Sequence, residues 1–463
     1  MVVVALAGSK GACMGTAGIL SAFAARSARL AHSAPDGARR LAGSLSITLI
    51  GQGLTLVGLV LITRLSVHAF GATGFGEYQV ARRTLAVIAF PLMCGLGVSV
   101  PRFIARDIVD PKRVAAWLLA AMCLAVILIA GFLGFGTIFS SSISRSTFGL
   151  NSKPLVLSLL LAAAGMFLST MAIAALRGLS RFHGAATLQV LNSVIVPMIA
   201  IFFAYGRVER ALIATGAGWA GISCVVMGRL YREWVNIHIP VSKIRAAMGA
   251  LCVFGLPRVP GEVALFGLFA LPGYAAVHRG NIVGAGYLSV GLSLIQAIAT
   301  AFASTGFVLL PYWSRAASTS AGMLTARKRM GWLVIASAAL AAAGTIALEA
   351  ILPAVAHLLL GPLAQNGLHD IRYVLLGTIP YVVYLVLRDY FDAISVFPLN
   401  TLALCAAILL QAAFLKMTWF GVPLATAMSF LALGAIMVTF WIVSHRFQHR
   451  AAYPNVGQAA EQT

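Results

Sequence analysis

Three arginines and one glutamate stand inside apolar stretches long enough to cross a bilayer. Arg82 and Arg83 follow Glu77-Tyr78-Gln79-Val80-Ala81, and Arg258 and Glu262 flank Val259-Pro260-Gly261. An ionisable side chain at bilayer depth costs about 2.5–3.5 kcal/mol on insertion scales, so such residues mark cavities or buried partners. A guanidinium is a permanent cation whose planar fork of donors grips phosphate or carboxylate oxygens two at a time. The chemistry these residues suggest is anion recognition, not bond making.

Around Arg258 the sequence reads Phe254-Gly255-Leu256-Pro257-Arg258-Val259-Pro260-Gly261-Glu262. Two prolines remove backbone donors and cannot continue a regular helix, which frees carbonyls and a guanidinium near the midplane. Arg258 and Glu262 are four apart and share a face if the helix survives. Two readings follow: an ion pair that neutralises both charges on insertion, or a gated phosphate contact with a titratable coupling partner. Arg82 and Arg83 point about 100° apart on a helix, so one is expected to line a cavity while the other snorkels outward.

Arg388-Asp389-Tyr390-Phe391-Asp392 reads most simply as a salt-bridged helix end, with Arg388 and Asp389 as secondary candidates for the site. Gln52, Gln189, Asn192, Gln296 and Gln411 also fall in apolar runs, where amides usually bond neighbouring helices. Gln52 is retained as a candidate because the internal duplication described below sets it opposite Glu262.

The elements that must hold these residues are helices. Of 463 residues 60% are hydrophobic and 10% charged, against roughly 25% charged in a soluble domain. A hydrocarbon core about 30 Å thick needs roughly 20 apolar residues per helix. Apolar runs fall near 44–63, 77–100, 114–138, 154–176, 184–205, 211–229, 246–272, 284–312, 331–352, 371–392, 397–416 and 420–443. The expected fold is all-α, a polytopic membrane protein of about twelve transmembrane helices. A cytoplasmic, partly disordered leader spans 1–43, a first lobe 44–229, an inter-lobe loop 230–245, a second lobe 246–443 and a cytoplasmic tail 444–463.

A net charge of +21 would suggest nucleic acid for a soluble protein, but membrane proteins concentrate Lys and Arg in cytoplasmic loops. With the amino terminus inside, 22 of the 33 basic residues fall on the inner side, eight outside and three within spans. The six cysteines lie mostly in apolar runs without metal-ligand spacing and read as small core residues. Gly8-Ser9-Lys10 lacks the spacing of a phosphate loop, so ATP hydrolysis is not expected, and neither a metal nor another cofactor is implied.

An offset of 210 carries Gly74, Gly76, Val80 and Pro101 onto Gly284, Gly286, Val290 and Pro311. A duplication of six helices keeps the same topology in both halves and relates them by a pseudo-two-fold axis along the membrane normal. The substrate path is then expected between two six-helix lobes.

Gly71-Ala72-Thr73-Gly74-Phe75-Gly76-Glu77-Tyr78, Gly95-Leu96-Gly97, Pro101-Arg102-Phe103-Ile104-Ala105-Arg106 and Ala175-Leu176-Arg177-Gly178-Leu179-Ser180-Arg181-Phe182 carry a resemblance, as do Gly284-Ala285-Gly286-Tyr287 and Leu310-Pro311-Tyr312-Trp313-Ser314-Arg315. From about 44 to 445 the chain resembles the polysaccharide-transporter branch of the multidrug/oligosaccharidyl-lipid/polysaccharide exporter superfamily, the O-antigen and exopolysaccharide repeat-unit flippases. The resemblance implies two lobes in a V and alternating access, through a cationic cavity, for an undecaprenyl-pyrophosphate-linked oligosaccharide. It places the protein in a bacterial inner membrane, and Arg82, Arg83 and Arg258 are the positions that fit the cavity arginines. Expected partners are the lipid-linked substrate, membrane lipids and, as candidates, polysaccharide polymerase and chain-length proteins, with protons or sodium ions as candidate coupling ions.

Two other classes compete with this reading. A cation-coupled multidrug exporter of the same superfamily calls for an acidic cavity, against which stand three intramembrane arginines and one central glutamate. A membrane glycan ligase or polymerase needs acid/base residues outside the bilayer, and the 353–370 loop offers only His357, His369 and Asp370.

The charge distribution yields one direct test. A single cysteine placed at Ser320 is expected to react with a membrane-impermeant maleimide only after the cells are opened; labelling from the periplasm reverses the topology.

Overall fold

In hydrocarbon every backbone N–H and C=O must be satisfied within the protein, and a long apolar run does so most directly as a helix. The computed structural model describes residues 36–148, 152–234, 239–316, 320–394, 399–417 and 421–451, and every regular element among them is helical.

The first lobe opens with α1 (Asp36–Leu92), a 57-residue rod kinked at Gly71, where φ is 65° and ψ −172°. A left-handed φ is inexpensive only for glycine, so this one residue lets a single helix carry the first two expected spans. It also begins inside the expected leader. At Cys94 and Gly95, φ turns positive (47° and 72°) before α2 (Leu96–Arg106). α3 (Pro111–Ile138) starts on a proline, and the Asp110 carboxylate accepts hydrogen bonds from the backbone N–H groups of Lys112 and Arg113. Then come α4 (Ser140–Phe148), α5 (Lys153–Gly178) and α6 (Phe182–Val190), a π-helical turn (Leu191–Ile195), α7 (Val196–Phe202) and α8 (Val208–Trp234).

The second lobe runs through α9 (Val241–Gly255), a 3-10 turn (Leu256–Arg258), α10 (Val259–His278), α11 (Ile282–Ala316) and α12 (Ser320–Leu360). It ends with α13 (Ala364–Leu375), α14 (Thr378–Ile394), α15 (Leu399–Lys416) and α16 (Val422–Ala451). The prolines at 257 and 260 break the seventh span where the sequence predicts. Ten stretches among the described residues are long and apolar enough to cross a membrane. Gly53–Leu92 carries two of the twelve expected spans, and α14, at 17 residues, carries the tenth.

Long helices such as α3, α5 and α10 are apolar all round, so packing separates their faces by side-chain size. α5 and α8 touch through Gly165 and Gly216; a Cβ at Gly216 would meet the Ala162 backbone at 2.6 Å. Small residues permit this close approach, which replaces the hydrophobic drive missing in lipid. The two broken helices also meet as bare backbone, since a Cβ on Gly95 would lie 2.5 Å from the Gly255 Cα. Beyond that contact α9 packs on α2 and α3 of the first lobe, while α10 packs on α1, α11 and α15.

Outside the spans, Asp107 ties α2 to α3. It accepts hydrogen bonds from Arg106 (Nη2 2.9 Å, Nε 3.1 Å) and the Trp117 indole (2.9 Å), with Arg113 at 3.7 Å. Hydrogen bonding from Arg106, then from Trp117, with the charges of Arg106 and Arg113, outweighs desolvation and holds its carboxyl at about 2. A depressed acid pKa contributes stability above the unfolded value, near 4, that is lost as pH falls through 2. Asp107→Asn is expected to cost about 1 kcal/mol at pH 7, and the gap to wild type should close as thermal unfolding is repeated from pH 4 down to pH 2.

Candidate functional site

Between the lobes lies a cavity of about 400 Å³. Its first-lobe wall comes from α1 (Thr55, Gln79, Arg82, Arg83), α5 (Ser169, Thr170), the π-helical turn (Asn192, Ser193) and α8 (Thr215, Trp219). α10 and α11 close it with Phe266, Phe269, Ser293 and Gln296. Among the described residues arginine supplies the only formal charge on this lining, which includes no Asp, Glu or Lys.

The two adjacent arginines have different fates. Arg83 reaches across to α11: Nε donates to Ser289 Oγ (3.2 Å), Nη1 to Gln296 Oε1 (2.9 Å), and Nη2 to Ser289 O (3.0 Å) and Ser293 Oγ (2.7 Å). Its guanidinium also stands 5.7 Å from the Phe269 ring centroid. Arg82 is half-buried, lines the cavity, and forms no hydrogen bond or ion pair among the described residues. The expectation that one of the pair faces the cavity fits Arg82, but Arg83 turns to the opposite lobe and not outward.

The seam these bonds belong to follows the duplication. Ser289 Oγ donates to Gln79 Oε1 (3.1 Å), a pair 210 apart, as are Arg83 and Ser293. A Cβ on Gly286 would meet the Gly76 Cα at 3.4 Å, again at the same offset. Equivalent residues meet each other only where a pseudo-two-fold axis passes between their helices, so the axis runs between α1 and α11. The Tyr274 hydroxyl to Thr84 Oγ1 (2.9 Å) and stacked Phe90 and Phe266 (centroids 4.0 Å apart) extend the seam to α10.

The polar wall opposite rests on the π-helical turn. A π turn breaks the regular ladder and leaves carbonyls free. The Trp219 indole N–H donates to the Asn192 carbonyl (2.5 Å), and Asn192 Nδ2 donates to Ser169 Oγ (2.6 Å). Asn192 Oδ1 and Thr215 Oγ1 are buried at the cavity without protein partners.

The remaining predicted residues stand elsewhere. Arg258 is exposed at the break in the seventh span, its Nη1 donating to the Phe254 carbonyl (2.7 Å) and its guanidinium 4.0 Å from that residue's ring centroid. Arg258 and Glu262 make no ion pair among the described residues, and the Arg258 guanidinium turns back to the Phe254 carbonyl and ring instead. Glu262 is half-buried within electrostatic reach of Arg388 and Arg258. Arg388 and Asp389 are half-buried on α14, where the Arg388 carbonyl accepts from Asn400 Nδ2 (3.1 Å). The side chains of Gln52 and Asp392 lie outside the described residues. Gln411 bridges α15 to the Leu268 carbonyl of α10 (3.0 Å). Sequence reasoning missed the Gln79, Ser289 and Ser293 seam, although the 210 offset pairs two of its contacts. Thr215 and Trp219 gave no sequence signal.

No protein-family model and no curated protein matches the chain. Solved structures do. The inward-facing conformation of a multidrug resistance MATE family transporter of the MOP superfamily aligns with TM-score 0.65 at 14% identity, over 89% of this chain and 96% of that one. The fold is that of MATE transporters. The outward-facing conformation of such a transporter aligns with TM-score 0.60 at 14% identity, over 88% and 96%. A MOP superfamily transporter from Pyrococcus furiosus, described as having a binding pocket of reversed polarity that suggests a different function, gives TM-score 0.56 at 17% identity, over 89% and 95%. The resemblance read from the sequence motifs therefore holds at the level of the superfamily fold, with twelve spans in two lobes.

The π-turn network predicts a measurable stability effect. Trp219→Phe keeps the ring volume nearly intact but strands the Asn192 carbonyl, and is expected to cost about 1–2 kcal/mol. Thermal unfolding in detergent checks it, and Trp219→Tyr should restore nothing.

Proposed function

We propose that the chain is a membrane transporter that works by alternating access between its two lobes, with the inter-lobe cavity as the substrate site. The similarity to solved MATE multidrug transporters supports, as the first reading, an exporter of drug-sized amphiphiles. The observation that selects among substrates is the free Arg82 guanidinium in a lining without a carboxylate. A cationic drug meets repulsion there, whereas an anionic head finds an unpaired fork donor in a low dielectric. The substrate class is therefore an amphiphile with an anionic head. The cavity offers a coupling proton or sodium ion no carboxylate, so Glu262 and Asp389 in the second lobe are the coupling candidates.

The same charge favours a second reading, translocation of an undecaprenyl-pyrophosphate-linked oligosaccharide across a bacterial inner membrane for polysaccharide export. The pyrophosphate would engage Arg82, the lipid tail would stay in the bilayer, and both termini would be cytoplasmic. Arg258, at the broken seventh span, would serve as a contact on the way. Polysaccharide polymerase and chain-length proteins would be its partners.

One pair of strains separates the readings. Deletion of the gene is expected to remove surface glycan if the lipid-linked substrate is right, and to raise sensitivity to anionic amphiphiles with glycan intact if the exporter reading is right. In either case Arg82→Ala should cut the affected flux at least tenfold at normal protein abundance, and Arg82→Lys less. Full activity of Arg82→Ala would remove the anion from the mechanism.

A further inference from the structure

Among the described residues the seam holds one charged side chain and only neutral acceptors. Arg83 belongs to the first lobe, yet each of its four hydrogen bonds ends on α11 of the second, at two serine hydroxyls, a backbone carbonyl and an amide oxygen. A guanidinium satisfied by neutral groups is held, but not as strongly as an anion would hold it, since charge-assisted forks are roughly twice as strong. Next to it, Arg82 faces the cavity with no partner among the described residues. An anion that enters at Arg82 therefore meets a second guanidinium one residue away, which can join it only by leaving α11.

We propose that Arg83 is an anion-operated latch: it bonds the lobes together while the cavity is empty, and the anion bound at Arg82 draws it off Ser289, Ser293 and Gln296. This rests on the anionic-substrate reading and adds to it the means by which substrate opens the seam. A ligand shifts a conformational equilibrium only through its different affinity for the two states. The anion has that difference, because it gains the Arg83 fork only when the seam is open. What then remains of the polar seam is neutral, the Gln79–Ser289 and Tyr274–Thr84 bonds. The two arginines thus divide the work, Arg82 holding the anion from the start and Arg83 joining it only once the seam opens.

The latch can be read by a disulfide outside it. A Cβ on Gly273 of α10 would lie 3.7 Å from Val80 Cγ2 of α1, within the reach of a cystine. Val80→Cys with Gly273→Cys, in a chain whose six native cysteines are replaced, should cross-link rapidly under copper-phenanthroline in phosphatidylcholine nanodiscs. Dodecyl phosphate is expected to slow the reaction at least fivefold; dodecyl maltoside and dodecyltrimethylammonium, with the same tail, should not. Arg83→Gln should cross-link slowly without any addition, and Arg83→Lys at an intermediate rate. Arg82→Ala should cross-link rapidly and ignore dodecyl phosphate. A joint Ser289→Ala and Ser293→Ala variant, which keeps both arginines, should also slow the reaction and guards against misfolding of Arg83→Gln. Wild-type rates in both Arg83→Gln and the double serine variant, or no effect of dodecyl phosphate on the rate, make Arg83 a structural arginine and overturn the latch. Calorimetric titration with dodecyl phosphate separates the two ideas. Binding without a change in cross-linking sinks the latch alone, whereas no binding also sinks the anionic-substrate reading.

Discussion

The arrangement depends on how a permanent positive charge is accommodated at the meeting of two lobes in lipid. Arginine cannot shed its proton, and hydrocarbon offers it no water, so Arg83 must find acceptors in protein. Those it finds are all on the other lobe, and that choice fixes the register of α1 against α11. The pairing of residues 210 apart, the glycine approach beneath it and the position of the cavity beside it are consequences of this register. A leucine at 83 would leave two packed helices with much less to define how far along each other they sit.

The cavity is the complement of that seam. Small residues draw α5 to α8, and the π turn opens the helix face next to them. What is left between the lobes is a space with hydroxyls and amides on one wall, two phenylalanines with Ser293 and Gln296 on the other, and a single free guanidinium. Its polarity comes from residues that are individually ordinary in membrane helices. Only the absence of a carboxylate from the lining gives the site a sign, and that sign is what ties the fold to a class of substrate.

Much of the fold could be read from the residues because lipid permits so few alternatives. Once a run such as 154–176 is apolar throughout, it is a helix, and α5 follows. The break at Pro257 and Pro260 was equally legible, since proline acts through its own covalent geometry. The break at Cys94-Gly95 was less so: Pro91 and Gly95 permit it, but nothing local announces that its bare backbone meets Gly255, 160 positions away. The site was half legible. Charge in an apolar run pointed to Arg82 and Arg83, but only tertiary structure decides which of two neighbours finds a partner. At Arg258 the spacing of four points to Glu262, but the free rotation of a long side chain lets the guanidinium settle on the Phe254 carbonyl and ring instead.

The contact between Gly95 and Gly255 has a mechanical meaning. Where helices cross through interlocked side chains, turning one against the other means lifting knobs out of holes and exposing fresh surface at each step. Two bare backbones present no knobs. The α9–α10 rod packs one arm on α2 and α3 and the other on α11 and α15, so a crossing without knobs resists turning less than an interlocked one would. Any side chain at either position would act as grit in that crossing, holding the two rods apart and making rotation rough even if every other contact survived.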